Sequence, residues 1–391
     1  MINSRNLKKY KNDFAINGGK AVFSSKNVKT TMNLPAPSLD SYLKKLQFYE
    51  QKNLDPIDFL EKSLASFHSV KNVVCFSSCF TGMALALRAL ATPGKREVIF
   101  PSFTYRRMTD IVLWAGLRPI YCDNNPKNFG VTSFEISKVI NNNTALILAP
   151  HPLVNLSDID SIENLSFKTG IPVMFDSVEA SGSTYKGRTI GSFGKAESFS
   201  LHPSKLMNSC EGGYITTNDD NLYLALKNMR VGKSCKYNNS TRLGHHSEMN
   251  RYHAVMALCS LDIVEKTISK NKIQYDLYSK CLENVEGVSL VCYEKKEKRN
   301  YKTILIKVEN SRLGRDFLHD ILNKENVFAR KFYYPAQHMR HKDIDKYNDK
   351  NFMIASRLQE QYLLLPTGHS TSYEDIKTIC TIIEQAEKLY G

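Results

Sequence analysis

Short apolar runs alternate with amphipathic stretches from about residue 71 onward. The run at 73–76 predicts a strand, and the spacing of Met83, Ala84, Leu87 and Leu90 behind it predicts a helix. A strand at 98–100 and a helix around 111–114 follow. Further strands are predicted at 120–122, 145–149 and 173–175, with helices near 133–140 and 158–169 between them. Longer helical patterns occupy 219–230 and 249–283. Short strands separated by helices predict an α/β fold with a largely parallel sheet covered on both faces.

A second unit begins near residue 263. It carries predicted strands at 288–292, 302–308 and 327–332, a helix at 312–322 and a last helix at 373–389. The chain shows no internal repeat, low-complexity tract or Gly/Ser linker. The expected division is therefore a large domain with an N-terminal arm over 1–262 and a smaller α+β domain over 263–391, joined by the long helix.

Length and composition narrow the class. At 391 residues the chain has room for two fused domains, and 42% hydrophobic with 24% charged residues is an ordinary globular balance. The first twenty residues are polar and basic, with no apolar core of signal-peptide length. No run approaches the roughly 18–20 apolar residues that cross a bilayer. The expectation is a soluble, cytoplasmic protein without a membrane partner. Nine cysteines, an odd number, include several inside apolar runs and form no CxxC pair, so reduced, packed thiols are expected and no metal site. The net charge of +14 invites nucleic acid as a partner. Its basic residues are spread along the whole chain without a binding motif, which fits steering of an anionic substrate instead.

Ligands of open parallel sheets sit beyond the carboxyl ends of the strands. Those ends read Ser77-Ser78-Cys79-Phe80-Thr81-Gly82, Ser102-Phe103-Thr104-Tyr105, Asp176-Ser177-Val178-Glu179 and Ser198-Phe199-Ser200-Leu201-His202-Pro203-Ser204-Lys205. A small polar turn opening a helix is a phosphate cradle. An acid closing a buried strand, with a lysine about thirty residues on, meets a further demand. Pyridoxal phosphate needs a lysine for its carbonyl, an acid for its ring nitrogen, an aromatic on its ring and an anion pocket.

The stretches 176–179, 185–194 and 196–205 resemble the core of the DegT/StrS group of nucleotide-sugar aminotransferases, of fold type I. So do Asn208-Ser-Cys-Glu-Gly-Gly213 and Ala329-Arg-Lys-Phe-Tyr-Tyr-Pro335. The resemblance implies a pyridoxal 5'-phosphate enzyme with a mostly parallel large domain and a smaller α+β domain. It would move an amino group from a donor such as glutamate to a nucleotide-linked keto sugar, in surface-polysaccharide or natural-product sugar biosynthesis. It implies a homodimer with shared sites. Lys205 matches the lysine that holds the cofactor and moves the proton, and Asp176 the acid facing the pyridine nitrogen. Tyr105 matches the stacked aromatic and Ser200 a phosphate-binding serine. The turn at Ser78, Cys79 and Phe80 matches the rest of the phosphate cup, and His246 a residue the partner subunit sends to the phosphate.

Several positions depart from the group's pattern. Phe80 stands for threonine, Glu179 for glutamine or histidine, His246 for asparagine and Arg251 for glutamate; Arg106 and Arg107 replace small or apolar residues. Glu179 has two readings, a relic of drift or a carboxyl near the cofactor's phenolic oxygen; in the second, burial raises its pKa and would let it stay protonated as a donor. Arg330 and His338 are candidates to face substrate, and His202 is expected to be structural. The departures keep open a catalytically impaired homologue serving as a binding or partner subunit, or a cofactor enzyme with altered reaction. The group's dehydratases carry histidine in place of the lysine, so Lys205 argues against the latter.

Overall fold

Alternate residues of the first long strand enter different cores. In Asn72–Phe76, Val74 and Phe76 point into one buried cluster while Val73 and Cys75 point into another. The computed structural model of the protein describes residues 14–30, 37–309, 312–341 and 349–391. Residues 1–13, the greater part of the basic leading stretch, lie outside them.

The two cores lie on opposite faces of a seven-stranded sheet. Its strands are β1 (Asn72–Phe76), β2 (Glu97–Pro101), β3 (Arg118–Cys122), β4 (Thr144–Pro150), β5 (Val173–Asp176), β6 (Ala196–Ser200) and β7 (Gly213–Thr217). Their spatial order is β1-β7-β6-β5-β4-β2-β3. Only β7 runs against its neighbours, pairing antiparallel with both β1 and β6. The other adjacent pairs are parallel. The carboxyl ends of β1, β2, β5 and β6 therefore share one edge, and the start of β7 joins them there.

The second unit is a four-stranded antiparallel sheet. It comprises β8 (Val288–Leu290), β9 (Ile304–Val308), β10 (Arg330–Lys331) and β11 (Tyr362–Leu365), in the order β8-β9-β11-β10. Helices Val264–Leu282, Arg315–Lys324 and Tyr373–Tyr390 supply much of its buried apolar surface.

Several expectations are corrected. The helix expected over 249–283 is two helices, Arg251–Asp262 and Val264–Leu282, broken at Ile263, whose ψ of 5 leaves the helical region. The strand expected over 327–332 is also two. Val327–Phe328 pairs in parallel with Lys29–Thr30, while β10 pairs with β11. Residues 14–30 thus bond to the C-terminal unit. Glu325 accepts from the Ala15 and Val22 backbones at 2.7 Å each, and Lys29 pairs with Asp375 at 2.9 Å. Asn17 Nδ2 donates to the Tyr390 hydroxyl at 2.6 Å.

Candidate active site

The turn after β1 opens the helix Cys79–Leu90. Ser78 caps it: its Oγ accepts from the Thr81 N–H at 3.1 Å and lies 2.9 Å from Thr81 Oγ1, which donates to the Ser78 carbonyl at 3.0 Å. The Thr81 hydroxyl is thereby turned back into the cap. Among the described residues, the Cys79 and Phe80 N–H groups have no acceptor within the chain. Two free donors at a helix N-terminus fit the phosphate of pyridoxal phosphate. Ser200 ends β6 level with Gly213 at the same edge, and its Oγ accepts from the His202 N–H at 3.3 Å.

Asp176 ends β5, opposite Pro150 and Ser198. Its Oδ1 accepts from the Val178 N–H at 3.3 Å and the Ser198 hydroxyl at 3.4 Å. Burial pushes its pKa up to about 6, against those two bonds and the nearby Lys205 ammonium, which pull it down. A buried acid of this kind suits the protonated ring nitrogen of the same cofactor.

Lys205 Nζ lies 2.6 Å from Glu179 Oε1, and Lys302 Nζ lies 2.7 Å from Glu179 Oε2. Burial favours the neutral acid at Glu179, but the two ammonium groups outweigh it and hold its pKa down to about 2. This corrects the reading in which Glu179 is protonated and donates: it is an ionised carboxylate clamped between two amines. Burial lowers the Lys205 pKa, but Glu179 outweighs it and raises it overall; Lys302 is lowered, chiefly by its burial. Sequence reasoning missed Lys302. It comes from the C-terminal unit just ahead of β9, and a single lysine in so basic a chain carries no signal.

Tyr105 follows β2, 38% exposed, near enough to Lys205 for the ammonium to act on its hydroxyl. Its carbonyl accepts from Gln337 Nε2 at 2.7 Å. A small cavity beside Lys205 is lined by Glu179, Ser204, Lys302, Arg330, Phe332 and Thr367, among others. Arg330 thus faces the site, whereas His338 does not: it is buried, with Nδ1 2.6 Å from Ser102 Oγ and Nε2 3.2 Å from Ser356 Oγ. His202 Nδ1 lies 2.9 Å from Ser204 Oγ, a bond within the lysine loop.

Two departures prove to be one contact. The Arg107 guanidinium lies 5.1 Å from the Phe80 ring centroid, and that ring meets Trp114 edge-on at 6.2 Å. Arg251 reaches Glu50 at 3.1 Å, tying the helix Arg251–Asp262 to the helix Leu39–Gln51. His246 is not gathered into the site of its own chain. Its side chain is 76% exposed, with Nδ1 3.6 Å from Glu248. The loop that carries it does pass the cup, since the Ser77 N–H donates to the Ser247 carbonyl at 2.8 Å.

The sequence model of the DegT/DnrJ/EryC1/StrS aminotransferases matches residues 47–384. The chain belongs to that family. It is an aminotransferase, and pyridoxal phosphate is the family's cofactor. Among named relatives, GDP-perosamine synthase of Vibrio cholerae is 24% identical over 340 residues, covering 84% of this chain and 90% of that protein. The dTDP-4-amino-4,6-dideoxy-D-glucose transaminase of Escherichia coli is 25% identical over 329 residues, covering 83% and 88%. The fold matches that of DesI, solved in the presence of its TDP-sugar product, with a TM-score of 0.89, 22% identity and 97% of each chain covered. Family and fold agree with the sequence reading of a fold type I enzyme. Among the described residues no helix is long and apolar enough to cross a membrane, and no group of His, Cys, Asp and Glu is arranged to hold a metal ion.

Proposed function

We propose that this aminotransferase moves an amino group from glutamate to a keto sugar carried on a nucleotide diphosphate. The observation that carries the reading is the meeting of Lys205, Asp176 and the Cys79–Leu90 N-terminus at one sheet edge. Relatives named for GDP- and dTDP-linked sugars support the substrate class and leave the nucleotide open.

Pyridoxal phosphate supplies an electron-poor ring that accepts charge from the substrate carbon. The residues divide the remaining work. Lys205 is the attachment point, and once released it carries a proton at Nζ. Asp176 would hold the proton on the ring nitrogen, and Tyr105 would supply the aromatic for the ring face. The N–H groups of Cys79 and Phe80, with Ser200, seat the phosphate, and Ser78 fixes the turn that presents them. Glu179 orients the Lys205 amine. A non-catalytic binding subunit would have no use for both Lys205 and Asp176, and the chain keeps both.

The proposal extends to the assembly: a cytoplasmic homodimer in which His246 serves the neighbour's phosphate, with the two domains divided at Ile263. Exposure of His246 on a loop that runs past the cup supports this. The test is an absorbance spectrum of the protein with pyridoxal phosphate, before and after glutamate. The bound aldehyde form should give a visible band that glutamate converts to the shorter-wavelength band of the amine form. No bound cofactor would sink the reading, and a band indifferent to glutamate would sink glutamate as donor.

A further inference from the structure

Glu179 has two cations for one charge. Its carboxylate bridges Lys205 and Lys302 at 2.6 and 2.7 Å, and all three side chains are more than four-fifths buried. The two amines differ in what else they must do. On the reading above, Lys205 is committed to the cofactor's carbonyl for part of each cycle. Lys302 has no such duty and is fixed from several sides. Asn300 Nδ2 donates to the Glu179 and Ser181 carbonyls at 2.8 and 2.9 Å. The Lys302 N–H donates to Asn300 Oδ1 at 3.0 Å, and its Nζ reaches the Ser204 carbonyl at 3.4 Å. The segment that carries Lys302 is thus stapled to the segment that carries Glu179.

A buried carboxylate that loses its only partner is strongly disfavoured, and one beside an anionic ligand more so. Pyridoxal phosphate brings a phosphate dianion and an acidic ring oxygen. We propose that Lys302 is the permanent counter-ion of Glu179, a positioning residue that cancels the carboxylate's charge so that the site accepts an anionic cofactor. The Glu179–Lys302 pair then acts as one neutral unit, with Lys205 free to leave it. The proposal rests on the cofactor assignment to Lys205.

The test is the dissociation constant of pyridoxal phosphate for four proteins: wild type, Lys302→Met, Lys302→Arg, and Lys302→Met combined with Glu179→Gln. Melting temperatures are taken without cofactor. Lys302→Met should weaken binding about tenfold or more, from an uncancelled charge in a buried site. Lys302→Arg and the double variant should return to within about threefold of wild type, as expected if charge alone is at issue. A Lys302→Met protein that binds like wild type overturns the proposal, as does a double variant as weak as Lys302→Met. Should Lys302→Met not fold, Lys302→Arg and the double variant carry the test against wild type. Both within about threefold of wild type support the proposal, and a double variant weaker than that assigns Lys302 a direct hold on the cofactor and overturns it. Borohydride fixation of the wild type separates the two layers of argument. No fixed cofactor at Lys205 removes the functional reading, whereas fixation there with the wrong variant pattern removes only the counter-ion.

Discussion

Gly213 stands so close to Cys79 that a Cβ on it would lie 2.4 Å from the Cys79 Cα and 2.5 Å from its nitrogen. The antiparallel strand β7 thereby presses on the first residue of the helix proposed to seat the phosphate. Position 213 needs hydrogen for space and not for backbone freedom. Gly213→Ala should push that helix end outward and destabilise the protein by about 1–3 kcal/mol through overpacking. It should weaken pyridoxal phosphate more than pyridoxal, which lacks the phosphate. Equal losses for both ligands would show that the contact serves stability alone.

Lys205 should be the residue that borohydride fixes to the cofactor. Peptide mass mapping should find the tag on the peptide containing Lys205, and Lys205→Ala should carry none. Transamination should fall by about 100-fold or more in that variant, the scale of lost proton transfer. A tag on any other lysine contradicts the assignment.

Asp176 gives a pH dependence with a defined sign. Its folded-state pKa, raised by burial to about 6, exceeds the value near 3.9 expected in the unfolded chain. The folded state therefore holds the proton more tightly, and stability falls as pH rises from about 4 to about 6. Without cofactor, Asp176→Asn should raise the melting temperature at pH 7.5 and have little effect at pH 4. With cofactor the order reverses, because only the ionised acid pairs with a protonated ring nitrogen. Wild-type affinity should decline as pH drops through about 6, and the Asn variant should bind weakly at every pH. Parallel curves for the two proteins would remove Asp176 from the cofactor.

His246 tests the assembly. Sedimentation should give a dimer at micromolar concentration. His246→Ala should weaken pyridoxal phosphate by about tenfold, the worth of a charge-assisted hydrogen bond, and leave pyridoxal unaffected. A variant that binds both ligands like wild type would return His246 to the plain solvent-facing loop that its exposure in the single chain also describes.

What the sequence disclosed follows from burial. The strands β1 to β5 are apolar throughout or nearly so, and periodicity finds them. The next two hide: β6 reads Ala-Glu-Ser-Phe-Ser and β7 Gly-Tyr-Ile-Thr-Thr, with the polar residues satisfied internally. Glu197 is fully buried yet accepts from the Gly191 and Phe193 N–H groups, at 2.8 and 2.7 Å, and from the Ser177 hydroxyl. One of the two inner strands of the smaller sheet, Tyr362–Leu365, runs directly on from the helix Met353–Gln361 with no turn residue to mark its start. In the site, Asp176 at the end of β5 was legible, as was Lys205 from the pattern of residues 196–205 around it. The partner of Glu179 was not, because Lys302 lies 123 positions further along the chain. Only the fold brings such a pair together.

The strap between the N-terminal segment and the C-terminal unit has a consequence for synthesis. Phe14 meets Tyr390 at 6.4 Å between ring centroids, and the bonds from Ala15 and Val22 to Glu325 span 310 and 303 positions. These residues thus acquire their neighbours only after some three hundred further positions, 310 and 303 for the two bonds, have been translated. Throughout that interval Phe14 and Phe23 lack the late-arriving part of the apolar surroundings that bury them, and the nascent protein carries them as an adhesive stretch.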